Sequence, residues 1–260
     1  MTPSEFQSRI AQAKDLDFGT IFNLSIELFK KSWLQGFLLQ LFVIILMVPF
    51  FIVIYVPIVM MAISQADSGH FDPNDMSGLF AGLSVFYVLF IIVGIFIIGV
   101  VQVALTAAFF RILKNVDEGL EAKTSDLFYF LKGKHLGKIL VLMLVTVLIA
   151  IPAALFFYLP LIYVMIPMSF FSITFAMNPE WSVGDIVSSS FRIGNKKWLL
   201  TFGLLFVSYM AVGILTFVSC GLGSLFLAPF MYHPIYFIYK ETVGFDDLCE
   251  LNQIGEEVVF

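Results

Sequence analysis

ILVLMLVTVLIAIPAALFF at residues 139–157 and LIYVMIPMSFFSITFAM at residues 161–177, with only Tyr158, Leu159 and Pro160 between them, decide the fold of this chain. Neither run contains a charged residue. Each approaches the ~20 apolar residues that a helix needs to cross a hydrocarbon core of about 30 Å. Both runs are continuously apolar, whereas the strands of a membrane barrel alternate between lipid and lumen, so helices are expected. The Tyr-Leu-Pro joint reads as a tight hairpin turn at the membrane interface.

Outward from this pair the same signal recurs at residues 34–60, 81–110, 199–218 and 224–239, which makes six expected spans. The first two are long enough to tilt or to continue beyond the bilayer, and Pro49 and Pro57 are placed to kink the first. Composition agrees. The chain of 260 residues is 60% hydrophobic and 13% charged, with a mean hydropathy of +0.98, while a soluble domain carries roughly 25% charged residues. No long stretch is free of apolar runs, so no separate water-soluble domain is expected. A cleavable signal peptide is not expected either, because Arg9, Lys14, Lys30 and Lys31 are spread along the segment before the first run.

Basic residues set the orientation. Arg9, Lys14, Lys30 and Lys31 precede span one; Arg111, Lys114, Lys123, Lys132, Lys134 and Lys138 lie between spans two and three. Arg192, Lys196 and Lys197 lie between spans four and five, and Lys240 follows span six. These are all 14 Lys and Arg of the chain, and the alternate connections hold none. The positive-inside rule therefore places both termini in the cytoplasm of a bacterial inner membrane. Cys220 and Cys249 fall on opposite sides in this topology, so no disulfide is implied.

FGTIFNLSIELFKKSWLQGF from Phe18 and VGDIVSSSFRIGNKKWLLTF from Val183 align at an offset of 165, with seven identities in 20 positions. The identities are Gly19/Gly184, Ile21/Ile186, Ser25/Ser190, Lys31/Lys196, Trp33/Trp198, Leu34/Leu199 and Phe37/Phe202. A weaker copy starts near Asp126, and Asp247 and Leu248 resemble the start of an unfinished fourth. Each copy opens as an amphipathic helix: in the first, Phe18, Phe22, Ser25 and Phe29 share a face opposite Asn23, Glu27 and Lys30. Asp17 is placed to cap the first copy, and Ser182 with Asp185 to cap the third. Helices over 18–31, 124–136 and 183–195 are expected to lie along the cytoplasmic surface. Lys31, Lys196 and Lys197 would sit at headgroup level, and Trp33 and Trp198 would anchor the interface. The expected fold is all-α: one integral membrane domain, 1–260, of six transmembrane helices in three parallel repeats over about 18–113, 124–177 and 183–241. Parallel repeats differ from the inverted ones of many secondary transporters. An acidic cytoplasmic tail, 241–260, follows; it is expected to be solvated or to pair with the basic loops.

SSSFRIGNKKWLLTFGLLF at residues 188–206, together with the threefold arrangement, resembles the membrane domain of bacterial glycerophosphoryl diester phosphodiesterases. It is similar also to related stand-alone six-span bacterial membrane proteins of unknown function. The resemblance covers nearly the whole chain and implies a fold and a location. It implies no activity, because the phosphodiesterase chemistry of that family belongs to a separate soluble domain, and it carries over no functional residue.

Chemistry has few places to sit. HExxH, GxSxG, phosphate-cradling glycine loops and paired Cys motifs are all absent. His70, His135 and His233 fall at three depths, which weighs against a His-rich iron site and the oxygenases that use one. No catalytic residue, metal site or cofactor is expected. No Asp, Glu, Lys or Arg lies within the six spans, so His233, Gln102 and Thr106 form the candidate intramembrane polar cluster. Its depths invite a Gln102–His233 hydrogen bond, either as glue between helices or as part of a pathway. Gly94, Gly99, Gly203 and Gly213 are candidates for close helix approach, and flexibility accounts for the Gly221-Leu222-Gly223 turn. The expected function is a non-enzymatic membrane module that organises lipid or partner proteins, as a homo-oligomer or with a membrane-protein partner. Membrane lipids are the expected contacts and nucleic acid is not. An uncoupled transporter or lipid-handling protein is the alternative, and an intramembrane enzyme the second.

Overall fold

A computed structural model describes residues 1–68, 85–156 and 159–245. Helices run Pro3–Gln12 (α1), Phe18–Ser68 (α2), Val85–Asp117 (α3), Gly133–Leu155 (α4), Leu159–Ser169 (α5), Phe171–Met177 (α6) and Val183–Lys196 (α7). Trp198–Val218 (α8), Gly223–Leu227 (α9) and Tyr232–Val243 (α10) follow, with 3₁₀ segments at Thr124–Leu131 and Ala228–Met231. No strand occurs among the described residues. The chain is an all-α membrane bundle. Five helical runs are long and apolar enough to cross a bilayer: Phe18–Met60, Tyr87–Asp117, Gly133–Leu155, Leu159–Met177 and Trp198–Val218.

The sixth expected span, 224–239, is the exception. It divides into α9, a 3₁₀ turn and α10, none long enough to cross by itself. The backbone stays right-handed helical through the joints, with φ/ψ of −96/−24 at Leu227 and −80/−23 at Tyr232. Pro229 and Pro234 are the cause, since each removes an N–H from the helical ladder. Such a break needs protein around it rather than lipid. Here Pro229 and Phe230 in the break and His233 through Tyr239 after it are buried, while α9 before it has no buried residue.

The chain forms two compact units, Leu41–Gln102 and the rest. Within the smaller unit, Tyr87 donates its hydroxyl to the carbonyls of Val53 (3.1 Å) and Ile54 (3.3 Å), and the Phe50 ring lies over Gly94. Its large side chains otherwise point outward, Ile45, Ile52 and Phe90 among them. Exposed Ile and Phe all round a helix pair are what lipid, not water, accommodates.

The larger unit shows why the helices pack as they do. Along its part of α2 the buried positions are Ile21, Ser25, Leu28, Ser32, Gly36 and Leu39, a seam with spacings of three and four. Of the expected face, Ser25 is buried, Phe22 and Phe29 flank the seam and Phe18 is exposed, while Asn23, Glu27 and Lys30 opposite are all exposed. The choice of seam has a physical reason. Lipid is as apolar as Phe, so helices gain little by hiding large side chains and gain more by close approach over small ones. The positions 165 residues later, Ile186, Ser190, Ile193, Lys197, Thr201 and Leu204, are all buried as well.

Small residues at these seams are required by contact. A Cβ on Gly194 would meet Pro167 of α5 at 2.5 Å from Cα and 2.8 Å from N, and one on Gly36 would meet the Pro229 ring at 2.9 Å. Of the glycines expected to matter, Gly94 does face a ring, Gly203 has ordinary contact with Phe18, and Gly213 faces open space. The turn at Gly221 is built rather than loose. Gly221 has φ +92 and donates its N–H to Thr216 O at 2.8 Å, a left-handed helix end that favours glycine.

The three expected surface helices take three forms. Residues 18–31 are not a separate element but the first turns of α2, a continuous helix of 51 residues. Residues 124–131 form a 3₁₀ segment; Phe128, Tyr129 and Phe130 in succession disfavour an α-helix. Only 183–196 is a free-standing α-helix, α7, and Ser182 accepts a hydrogen bond from the Asp185 N–H at its start (3.1 Å). Asp17 likewise accepts from the Thr20 N–H (2.8 Å), and those bonds hold its carboxyl below the usual range. Helix α1 is an element the periodicity did not announce. Its signal was present in Thr2-Pro3-Ser4-Glu5, a capping box with Pro at the first turn.

Candidate functional site

His233 lies at the centre of the larger unit and is fully buried. Its Nε2 is 2.8 Å from Ser32 Oγ on α2, and its Nδ1 is 3.2 Å from the Pro229 carbonyl one turn earlier. A carbonyl only accepts, so in the neutral ring Nδ1 carries the proton and Nε2 accepts from the Ser32 hydroxyl. Ser32 Oγ also lies 2.9 Å from Leu28 O. The rings of Phe29, Phe109 and Phe230 surround the imidazole at centroid distances of 5.4, 6.0 and 5.9 Å. Pro229 places this carbonyl, and Gly36 admits Pro229 against α2.

The partners of His233 within its own unit are therefore Ser32 and Pro229, while Gln102 belongs to the other unit. Gln102 Oε1 is shielded and makes no hydrogen bond among the described residues; Thr106, one turn along α3, is buried. Sequence spacing showed the depth of each group but not its azimuth, and Ser32 went unnoticed because it falls before the expected span 34–60, between Lys31 and Trp33.

The Ser32–His233 distance is that of a nucleophile and its base, but both residues are 0% exposed. The second ring nitrogen is held by a backbone carbonyl. No substrate atom reaches this hydroxyl without the seam opening. What the arrangement does, as it stands, is satisfy every polar atom of a histidine in a place where an unpartnered one is costly.

A second constellation gathers the polar ends of the helices. Asp117 Oδ2 accepts from the Tyr236 hydroxyl (2.8 Å) and from Lys240 Nζ (2.6 Å). Arg9 donates to Val243 O (2.9 Å), Trp181 Nε1 to Met1 O (3.1 Å), and Lys138 Nζ to the Pro179 carbonyl. Phe6 packs edge-on against Trp181 and tilted on Tyr239, centroids 5.2 and 5.9 Å away. Asn178 Nδ2 completes the layer with a 2.9 Å bond to the Tyr239 hydroxyl. Arg111 stacks on the Tyr129 ring at 3.8 Å, and its hydrogen bond and charge hold that phenol below the usual tyrosine range.

Comparison with protein-family models, with curated proteins and with solved structures finds no match. The site is therefore read from its own geometry.

The interfacial residues divide. Lys31, Lys196 and Trp33 are exposed. Trp198 stacks between Phe202 (5.1 Å) and Tyr163 (6.4 Å) and donates Nε1–H to the Tyr163 carbonyl at 3.1 Å. Lys197 turns inward: it is 5% exposed, and its Nζ donates to the Lys14 carbonyl. Burial pulls its pKa down, partly opposed by Asp15 at 3.8 Å. The Asp15 side chain is fully solvated, so that ion pair contributes little. Lys197 and Ser32 lie 165 residues apart, and each bonds to a residue of another element.

Proposed function

We propose that this chain is a non-enzymatic module of a bacterial inner membrane, with both termini cytoplasmic, that organises lipid or partner proteins. The observation that carries the reading is the enclosure of the Ser32–His233 pair. The one ionisable group within the expected spans is 0% exposed and spends both ring nitrogens on its own fold. Transport and catalysis ask instead for polar groups held in reserve. The threefold repeat and the resemblance to phosphodiesterase membrane domains support the same reading.

Support for the orientation comes from the polar layer. Arg9, Lys138, Lys197 and Lys240 all tie into it, with residues from both ends of the described chain. Such a layer accords with an even number of crossings, and the positive-inside rule favours the cytoplasm for that side.

Extraction of the full-length protein with its native lipid in polymer-bounded discs tests the function. A module of this kind is expected to carry one lipid class above its share of the bulk membrane, or one partner protein at fixed stoichiometry. Recovery with lipid of bulk composition and no stoichiometric partner overturns the reading.

A further inference from the structure

Helix α7 buries one side, Ile186, Ser189, Ser190, Ile193 and Gly194, against the bundle. Its other side, with Val145 of α4, walls an open groove of about 490 Å³, within the range that holds small ligands. Val145, Val187 and Phe191 line it with hydrocarbon, and Phe171 braces Phe191 at a centroid distance of 6.1 Å. Ser188, Arg192 and Asn195, at spacings of four and three along the same helix, line it with donors.

The donors are held in a particular way. Tyr163 gives its hydroxyl to Asn195 Oδ1 at 2.8 Å, which leaves the two Nδ2 hydrogens of Asn195 uncommitted. Trp198 fixes Tyr163 in turn by stacking on its ring and bonding its carbonyl. Arg192 is exposed and makes no hydrogen bond or ion pair among the described residues. An uncommitted guanidinium beside an oriented amide matches the geometry of a phosphodiester, which a guanidinium binds through two parallel hydrogen bonds.

We infer that this groove binds one anionic phospholipid of the cytoplasmic leaflet. Its phosphate is held by Arg192 and the Asn195 amide, and an acyl chain lies along Val145, Val187 and Phe191. Charge and apolar lining together choose this occupant. An apolar protein segment would leave the guanidinium unpaired, an acidic one would leave the hydrocarbon wall wet, and so would free phosphate. Basic pockets between membrane helices on the cytoplasmic side recognise acidic headgroups for the same reason. The inference rests on the inner-membrane reading above and names the lipid class that the module holds.

The test uses full-length protein in discs containing equal phosphatidylglycerol and phosphatidylcholine, with retained lipid counted by native mass spectrometry. Phosphatidylglycerol is expected to be retained in preference. Arg192→Gln is expected to lower that preference about fivefold, the effect of one basic residue near an anionic surface. Val187→Trp, which fills the groove and keeps every charge, is expected to lower it as well. Lys31→Gln, an exposed lysine on another helix, is expected to leave it unchanged. Thermal melts of each variant separate loss of fold from loss of lipid. Equal losses from Lys31→Gln and Arg192→Gln, or none from Arg192→Gln, overturn the inference and leave diffuse surface charge as the cause. Cysteine labelling at residue 192 distinguishes the two levels. A cytoplasmic position without lipid preference removes the groove alone, and a periplasmic position removes the orientation with it.

Discussion

Replacing Gly194 with Ala tests the packing logic at its tightest point. In an ordinary helix the change stabilises, because Gly costs ~1 kcal/mol relative to Ala in a helix interior. Here the new Cβ would stand 2.5 Å from Pro167 Cα, 2.8 Å from its N and 3.0 Å from its Cβ. Two of those atoms are backbone, so no side-chain rotation relieves the contact and α5 or α7 must shift. Overpacking a filled interior costs typically about 1–3 kcal/mol. Against the gain in propensity, the net expectation is a loss of up to ~2 kcal/mol. Gly213→Ala is the control: it sits in mid-α8 with nothing within 4 Å of the added methyl, and it is expected to be neutral or to stabilise by up to ~1 kcal/mol. Unfolding of the purified proteins by SDS in mixed micelles, followed by tryptophan fluorescence, measures both. If Gly194→Ala is as stable as Gly213→Ala, the close approach of α5 and α7 is not what holds α7 in place, and small residues in the seam need another explanation.

Ser32→Ala and His233→Leu, combined in a double-mutant cycle, are expected to show a coupling of about 0.6 kcal/mol, the average for membrane hydrogen bonds; zero coupling would mean the 2.8 Å contact does not stabilise the fold. Tyr129 is expected to ionise at lower pH than the other tyrosines because Arg111 favours its phenolate. Its contribution to stability appears only as pH rises into that titration and is absent at neutral pH. A Tyr129→Phe difference titration in the ultraviolet measures it, and Arg111→Gln is expected to return it toward about 10; no shift on that substitution sinks the assignment. For orientation, a reporter fused after Phe260 is expected to be active only in its cytoplasmic form, and a cysteine replacing Ser68 to label from the periplasm; cytoplasmic labelling there inverts the topology.

Much of the fold was legible because a bilayer imposes coarse rules. Runs such as 139–157 are uninterrupted by charge and lack the alternation of a barrel strand, so of the two structures that satisfy their backbone in lipid only the helix fits. The caps at Asp17 and Ser182 were legible too, since they depend on residues within one turn of each other. The sixth span shows the limit. Apolar composition marked 224–239, yet Pro229 and Pro234 break it into three pieces, and whether such a break survives depends on what surrounds it.

By itself, then, the sequence determined that the chain is a helical membrane protein and where its polar ends must lie, because hydropathy and Lys/Arg placement act through the solvent and need no partner. Only the tertiary structure decided which face of each helix is inside. In lipid that choice is made by steric fit, with Gly194 against Pro167 and Gly36 against Pro229, and fit is a property of pairs. The partner of His233 belongs to the same class. Depth follows from counting along a helix, but azimuth follows from the neighbour, and the neighbour that faces the ring across the seam is Ser32.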